Sequence, residues 1–227
     1  MFLTKSEVAG PFRGSRVAIV GSGPSCLQNE LGFIDSHDIV VRINNYKLFP
    51  QTGYRTDVFY SFFGSSVKKS VYELRKDGVR LCMCKCPNER TINSEWHRKN
   101  RKELGVDFRY IYRNRKRWWF SDVYIPQKRE FMEIFESLGE HIPTTGFSCI
   151  RTIADFDCSI FVTGFDFFSS RMHNVDEPWR PGNQADPIRH APERELEWLR
   201  ENRSRFQLDD KLRTLCTHTE ESFTPTT

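Results

Sequence analysis

Residues 16–45 read RVAIVGSGPSCLQNELGFIDSHDIVVRINN. The apolar run Val17-Ala18-Ile19-Val20 stops at the turn Gly21-Ser22-Gly23-Pro24-Ser25, and the β-branched run Ile39-Val40-Val41 ends at Arg42-Ile43-Asn44-Asn45. A strand, a glycine turn and a second strand open a nucleotide-binding α/β fold, because glycines let the backbone approach a phosphate closely.

The rest of the chain continues that alternation. Strands are expected at about 16–20, 38–43, 57–61, 79–86, 108–112, 159–163 and 211–217, with a short helix or loop after the glycine turn. Helices are expected over 66–76, 96–104, 128–138, 144–154 and 191–203. Residues 1–14 read as a loose lead-in, about 169–189 as a long lid loop rich in Pro and Gly, and 218–227 as a polar tail. The expected architecture is α/β: a single Rossmann-like domain over 1–227, with a mostly parallel sheet and helices on both faces.

Bulk composition sets limits. At 227 residues the chain is long enough for one well-buried domain. A net charge of +4 is too mild to imply nucleic acid by itself. No apolar run approaches the roughly 20 residues of a membrane span, and the start of the chain does not resemble a secretory leader. Cys82, Cys84 and Cys86 alternate along one expected strand and read as small core residues of a reducing cytoplasm. No paired CxxC spacing suggests a metal. Asp155-Phe156-Asp157 falls at an expected helix end rather than in a sheet-end loop, where a metal-binding DxD would sit.

The nucleotide turn narrows further on inspection. Cys26 replaces the third glycine of GxGxxG, and strand two ends in Arg42 and Asn44 rather than the acid that holds a dinucleotide ribose. Arg42 would suit a 2′-phosphate, so an NADP- or FAD-binding oxidoreductase stays open, as does a non-catalytic nucleotide- or glycan-binding protein. Three more segments are expected at sheet or helix ends. Thr144-Thr145-Gly146 opens a helix and can accept an anion. Thr163-Gly164-Phe165-Asp166-Phe167 follows a buried strand, where α/β folds place ligands. His190 precedes a helix carrying Glu193 and Glu195.

In this order and spacing these segments resemble the sialyltransferases. The glycine turn through Asn44 resembles the large sialylmotif of the animal-type family and the start of the bacterial Campylobacter-type family. PTTGFSCI (143–150) resembles the small sialylmotif, TGFDFF (163–168) the bacterial GxDFY segment, and His190 to Glu195 the HxxxxE motif. The resemblance implies a variant GT-A transferase that uses a CMP-activated acid sugar, sialic acid or Kdo, without a metal or other cofactor, and inverts the anomeric carbon. It places Gly21, Ser22, Gly23, Pro24, Ser25 and Asn44 on the donor phosphate and ribose. Thr145, Gly146 and Ser148 would lie by the cytidine or sugar carboxylate, and Gly164, Phe165 and Asp166 by the cytidine. His190 would be the general base, supported by Glu195. Ser22 stands where these families usually place Asn. No tyrosine follows Tyr124, so Arg151, Arg171, Arg189 and His173 are the candidates for stabilising the leaving phosphate.

A histidine suits the base role because its ordinary pKa lies near neutrality, and a helix N-terminus disfavours the imidazolium. CMP carries one phosphate, so a metal is less needed than for a diphosphate donor. Finally, Arg98 to Phe120 holds nine Lys or Arg against two acids and ends in RNRKRWWF. Basic residues among aromatics suit an anionic membrane face or a glycolipid acceptor, in preference to single-stranded nucleic acid; the plain alternative is a solvated face with Trp118 and Trp119 in the core. The expected setting is the cytoplasm, at the periphery of the inner membrane, with a glycan such as lipooligosaccharide or capsule as acceptor.

Overall fold

Among the described residues, eight strands lie in one sheet: β1 (Phe2–Leu3), β2 (Arg16–Val20), β3 (Ile39–Ile43), β4 (Val58–Ser61), β5 (Leu81–Cys84), β6 (Asp122–Tyr124), β7 (Ser159–Thr163) and β8 (Phe206–Leu208). The computed structural model describes residues 1–64, 67–86, 108–167 and 190–217. The strand order is β1-β6-β5-β4-β3-β2-β7-β8, and every neighbouring pair is parallel. Parallel neighbours need crossovers, and α1 (Lys5–Phe12), α2 (Val71–Lys76), α3 (Phe108–Trp118), α4 (Lys128–Ser137), α5 (Thr145–Ala154), α6 (Pro192–Glu201) and α7 (Asp210–Thr217) lie within them or beyond β8.

Alternation along the strands sends side chains to two cores. Val17, Ile19, Val41, Tyr60, Met83 and Val162 meet α1, α5, α6 and α7 on one face. On the other, Phe59, Cys82, Cys84 and Val123 meet Leu74 of α2 and Trp118 of α3, while Ala18, Val20, Val40 and Phe161 cover Cys26 and Ile34. Strands buried on both faces read as the near-continuous apolar runs the sequence shows. The order turns around at β2, which has β3 on one side and β7 on the other. A ligand crevice is expected at that switch point, beyond the C-terminal ends of the strands.

Four sequence expectations are corrected. Residues 1–14 form β1 and α1: Thr4 and Glu7 make a reciprocal capping box, and Val8 and Phe12 are buried one helical turn apart. The helix expected over 66–76 starts only at Val71, because Ser70 caps it with Glu73. Residues 108–112 belong to α3 rather than a strand: buried Asn114 and Trp118 carry the helical spacing past the misleading alternation, and the strand follows at Asp122–Tyr124. Residues 211–217 are helical, with Leu212 and Cys216 buried, and the last strand precedes them at Phe206–Leu208. The expected helix over 96–104, the lid at 169–189 and the tail at 218–227 lie outside the described residues.

Candidate active site

The glycine turn packs directly against the end of β7. The Gly21 amide donates to Thr163 O at 2.8 Å and the Gly23 amide to Gly164 O at 2.7 Å. A Cβ on Gly21 would fall 2.3 Å from Gly164 O, so only glycine permits this approach. Gly164 itself has φ +76°, and a Cβ there would fall 2.9 Å from Gly21 O. The two glycine amides are thus spent on β7 and do not serve as phosphate donors. Pro24 then starts a single 3-10 turn, Pro24–Gln28, which carries little dipole.

Asp209 staples this corner. Its Oδ2 accepts from Ser25 Oγ at 2.8 Å, Thr163 Oγ1 at 2.8 Å and the Gly164 amide at 3.0 Å, and its Oδ1 accepts from the Leu212 amide at 2.8 Å. The Ser25 hydroxyl therefore points into the protein instead of toward a phosphate. Asp209 also caps α7. Its signal lies in Asp209-Asp210 ahead of Leu212, Leu215 and Cys216, and reading that run as a strand hides it.

Phe165 links the turn to α5. Its Cε2 lies 3.0 Å from where a Gly21 Cβ would be, and its Cε1 lies 2.5 Å from the same point on Gly146. The ring lies between the glycine turn and the first turn of α5. Asp166 is buried beside Gly23, with its Cγ 3.4 Å from that glycine's would-be Cβ. Thr144 caps α5, its Oγ1 accepting from the Phe147 amide at 3.1 Å. Thr145 and Gly146 follow as the first two helical residues, whose amides lack intrahelical acceptors, and both are half-exposed. The positive end of a full α-helix thus opens beside Phe165.

His190 and Glu195 both hold the segment that leads into α5. His190 Nδ1 lies 2.6 Å from Ile142 O. A carbonyl oxygen only accepts, so Nδ1 carries the proton and the neutral ring has its lone pair on Nε2. Glu195, in the first turn of α6, is buried, and its carboxylate accepts from the Thr144 amide at 2.6 Å and Thr144 Oγ1 at 2.7 Å. Burial pushes its pKa up to about 7, against the downward pull of those two hydrogen bonds and of Lys85. Lys85, buried just past β5, is pushed down to about 8 by burial, with Cys86 and Glu195 pulling it back up.

Asn44 sits past β3 with φ +50°, and its Oδ1 accepts from Ser61 Oγ at 2.9 Å. Ser22 is half-buried in the turn. The structure therefore gathers Gly21, Ser22, Gly23, Gly146, Gly164, Phe165 and Asp166 at the switch point, with Thr145 and Gly146 opening α5 there. Asn44 stands one strand away, and His190 and Glu195 clasp the entry to α5.

Other candidates lie elsewhere. Ser148 is fully buried, and its hydroxyl donates back to Thr144 O at 2.9 Å. Arg151 lies nearly two turns down α5, about 9 Å from Thr145, with its guanidinium 4.5 Å over the Trp198 ring. That position takes it away from the N-terminus of α5. Asp155 ends α5 and pairs with Lys5 at 2.9 Å. Arg171, His173 and Arg189 lie outside the described residues. Arg42 is fully buried: its Nε donates to Arg55 O and Thr56 Oγ1, both at 3.1 Å, and its Nη2 to Thr52 O at 2.5 Å. It cannot meet a 2′-phosphate, which removes the residue on which the NADP reading rests. Sequence reading misses Asp209, Ser61, Ile142 and Lys85.

No family model and no curated protein matches this chain in sequence. Solved structures do match in fold. The sialyltransferase CstII from Campylobacter jejuni, in complex with the substrate analogue CMP-3FNeuAc, aligns with a TM-score of 0.52 at 16% identity, over 87% of this chain and 88% of that one. An α-2,3-sialyltransferase from the same organism in apo form aligns with a TM-score of 0.53 at 14% identity, over 91% and 77%. A mammalian sialyltransferase aligns with a TM-score of 0.53 at 15% identity, over 86% and 68%. The chain has the fold of these GT-A-like proteins.

Proposed function

We propose that this chain is an inverting, metal-independent glycosyltransferase that moves an acid sugar, sialic acid or Kdo, from its CMP donor to a hydroxyl of a glycan acceptor. The observation that carries the reading is His190, fixed through Nδ1 on Ile142 O beside the open N-terminus of α5. The solved CstII complex with CMP-3FNeuAc supports the donor class.

In this reading the donor phosphate and the sugar carboxylate sit near the Thr145 and Gly146 amides. There the dipole of α5 opposes the charge that builds on departing CMP. Ser22 and Asn44 hold the ribose, and Gly164, Phe165 and Asp166 flank the cytidine. As the anomeric carbon–oxygen bond breaks, the sugar takes on oxocarbenium character. The acceptor oxygen attacks from the opposite face, and its proton passes to His190 Nε2. Glu195 keeps the 142–144 segment, and with it the imidazole, in place. General-base catalysis contributes roughly 10²–10⁴-fold, and positioning and phosphate stabilisation supply the rest. A lipid-anchored surface glycan such as lipooligosaccharide or a capsule precursor, met at the cytoplasmic face of the inner membrane, is the proposed acceptor.

The test is release of CMP from CMP-sialic acid and from CMP-Kdo in the presence of glycan acceptors. The wild-type protein is expected to release CMP with one of the two and to form a glycosylated product, and His190→Ala to do both at least about 100-fold more slowly. Equal turnover by His190→Ala, or no turnover with either donor despite CMP binding, would overturn the catalytic reading in favour of a binding protein.

A further inference from the structure

The outer surface of α2 and α3 takes no part in the cleft. The two helices cover one core through Leu74 and Trp118. Each is tied to the segment flanking the other: Arg117 of α3 donates from Nε to Lys69 O at 2.9 Å and from Nη2 to Val67 O at 2.8 Å, just before α2, and Arg75 of α2 stacks over Phe120, just past α3, at 5.3 Å. Their outward side is unusual for a protein surface. Trp119 is 88% exposed, Tyr72 76% and Tyr112 67%. Lys68, Arg75, Lys76, Arg113, Arg115 and Lys116 are exposed around them. Among the described residues of the two helices, charge of the other sign is scarce: α3 contains no acid, and Glu73 of α2 is folded back onto the Ser70 amide and hydroxyl.

We infer that this face docks on an anionic lipid bilayer. Indole and phenol rings favour the headgroup level, where an apolar body and a polar edge are both satisfied. Each cation near an anionic leaflet adds roughly fivefold to partitioning, within the reach of a Debye length. Aromatics and cations on one rigid helix layer serve both terms at once, as on an interfacial helix. Among the described residues no helix is long and apolar enough to cross a membrane, so the contact is peripheral.

The platform is also tied to the cleft. Asn114 of α3 donates from Nδ2 to Phe63 O at 3.1 Å, the Phe63 amide donates to Ser61 Oγ at 3.1 Å, and Ser61 Oγ donates to Asn44 Oδ1 at 2.9 Å. Docking through α2 and α3 would hold the Asn44 edge of the cleft at a fixed distance from the lipid, where a lipid-anchored acceptor emerges. The placement of the acceptor rests on the transferase reading; the lipid contact does not.

The experiment is flotation with vesicles of phosphatidylcholine alone and of phosphatidylcholine with about a third phosphatidylglycerol, at about 0.1 M and about 1 M salt. The full chain is expected to float with the anionic vesicles at low salt only. The triple variant Lys76→Ala/Arg115→Ala/Lys116→Ala is expected to lose on the order of 100-fold in partitioning at low salt, and Trp119→Ala a smaller factor. Both variants should keep the wild-type melting temperature and its response to CMP, which separates failure of docking from failure of the cleft. Equal flotation with neutral vesicles, no flotation, or unchanged flotation of the triple variant would overturn the proposal. So would binding of a single-stranded oligonucleotide that the triple variant abolishes while flotation persists.

Discussion

His190 donates from Nδ1 to the carbonyl oxygen of Ile142 at 2.6 Å. Two residues further on, Thr144 caps α5 and binds both oxygens of Glu195. The imidazole, the helix N-terminus and the carboxylate are therefore one assembly, fastened on the short segment 142–144. The HxxxxE spacing has a physical meaning here: each end of the motif grips one end of the same three residues.

In the proposed mechanism His190→Ala removes the base and leaves the cleft intact. Turnover is expected to slow by at least about 100-fold, with little change in affinity for CMP. Steady-state kinetics and CMP titration on the same preparations would check it. Parallel loss of turnover and CMP binding would assign His190 to donor binding instead.

Glu195 sets a pH dependence whose sign follows from its burial. Its pKa rises from the ordinary 4.5 to about 7 in the folded state. Across that window the folded protein binds more protons than the unfolded chain, so stability falls as pH rises from about 4.5 to about 7. Glu195→Gln keeps an acceptor for the Thr144 amide and should flatten this slope. Glu195→Ala leaves that amide unpaired and Lys85 without its counter-charge, at a cost of about 3 kcal/mol. Urea titrations at several pH values give the readout; an unchanged slope in Glu195→Gln would refute the assignment.

Lys85 contributes the opposite trend at higher pH. Burial holds it at about 8 against the ordinary 10.5, so the unfolded chain binds the extra proton between these values and stability rises with pH there. Lys85→Met, similar in shape and uncharged, should remove that rise. Its persistence would show that another group carries it.

Gly164→Ala forces a side chain onto a residue at φ +76°, 2.9 Å from Gly21 O. The expected loss is about 2–4 kcal/mol, measured by chemical denaturation, with CMP binding weakened as well. Gly146→Ala meets only the edge of the Phe165 ring, so Phe165→Ala in the same chain should recover part of its cost. Strictly additive effects would place the two residues out of contact.

Much of this is legible in the sequence, and the limits have physical causes. Strands β2, β3, β4 and β7 stand out because both their faces are buried, leaving unbroken apolar runs. Gly21, Gly23 and Gly164 are conspicuous because no other residue fits a backbone-to-backbone approach. Their chemical role is not legible: glycines that admit a phosphate and glycines that admit another strand end look identical, and only tertiary pairing shows the amides spent on β7. Asp209 escapes notice because three of the four hydrogen bonds its carboxylate accepts join residues far apart in the chain. Arg42 reads as a ligand for phosphate only while the strand end is taken to be open; the backbone oxygens of Thr52 and Arg55 occupy it. The Phe108–Tyr112 alternation is too short to separate strand from helix.

In the proposed reading the cleft at the β2–β7 switch point binds a CMP-sugar. Thermal unfolding in the presence of CMP, CDP, UDP, NADP and FAD tests it most directly. CMP is expected to raise the melting temperature, by an amount that grows with its concentration, and NADP and FAD to leave it unchanged. Stabilisation by NADP or FAD without any effect of CMP would contradict it.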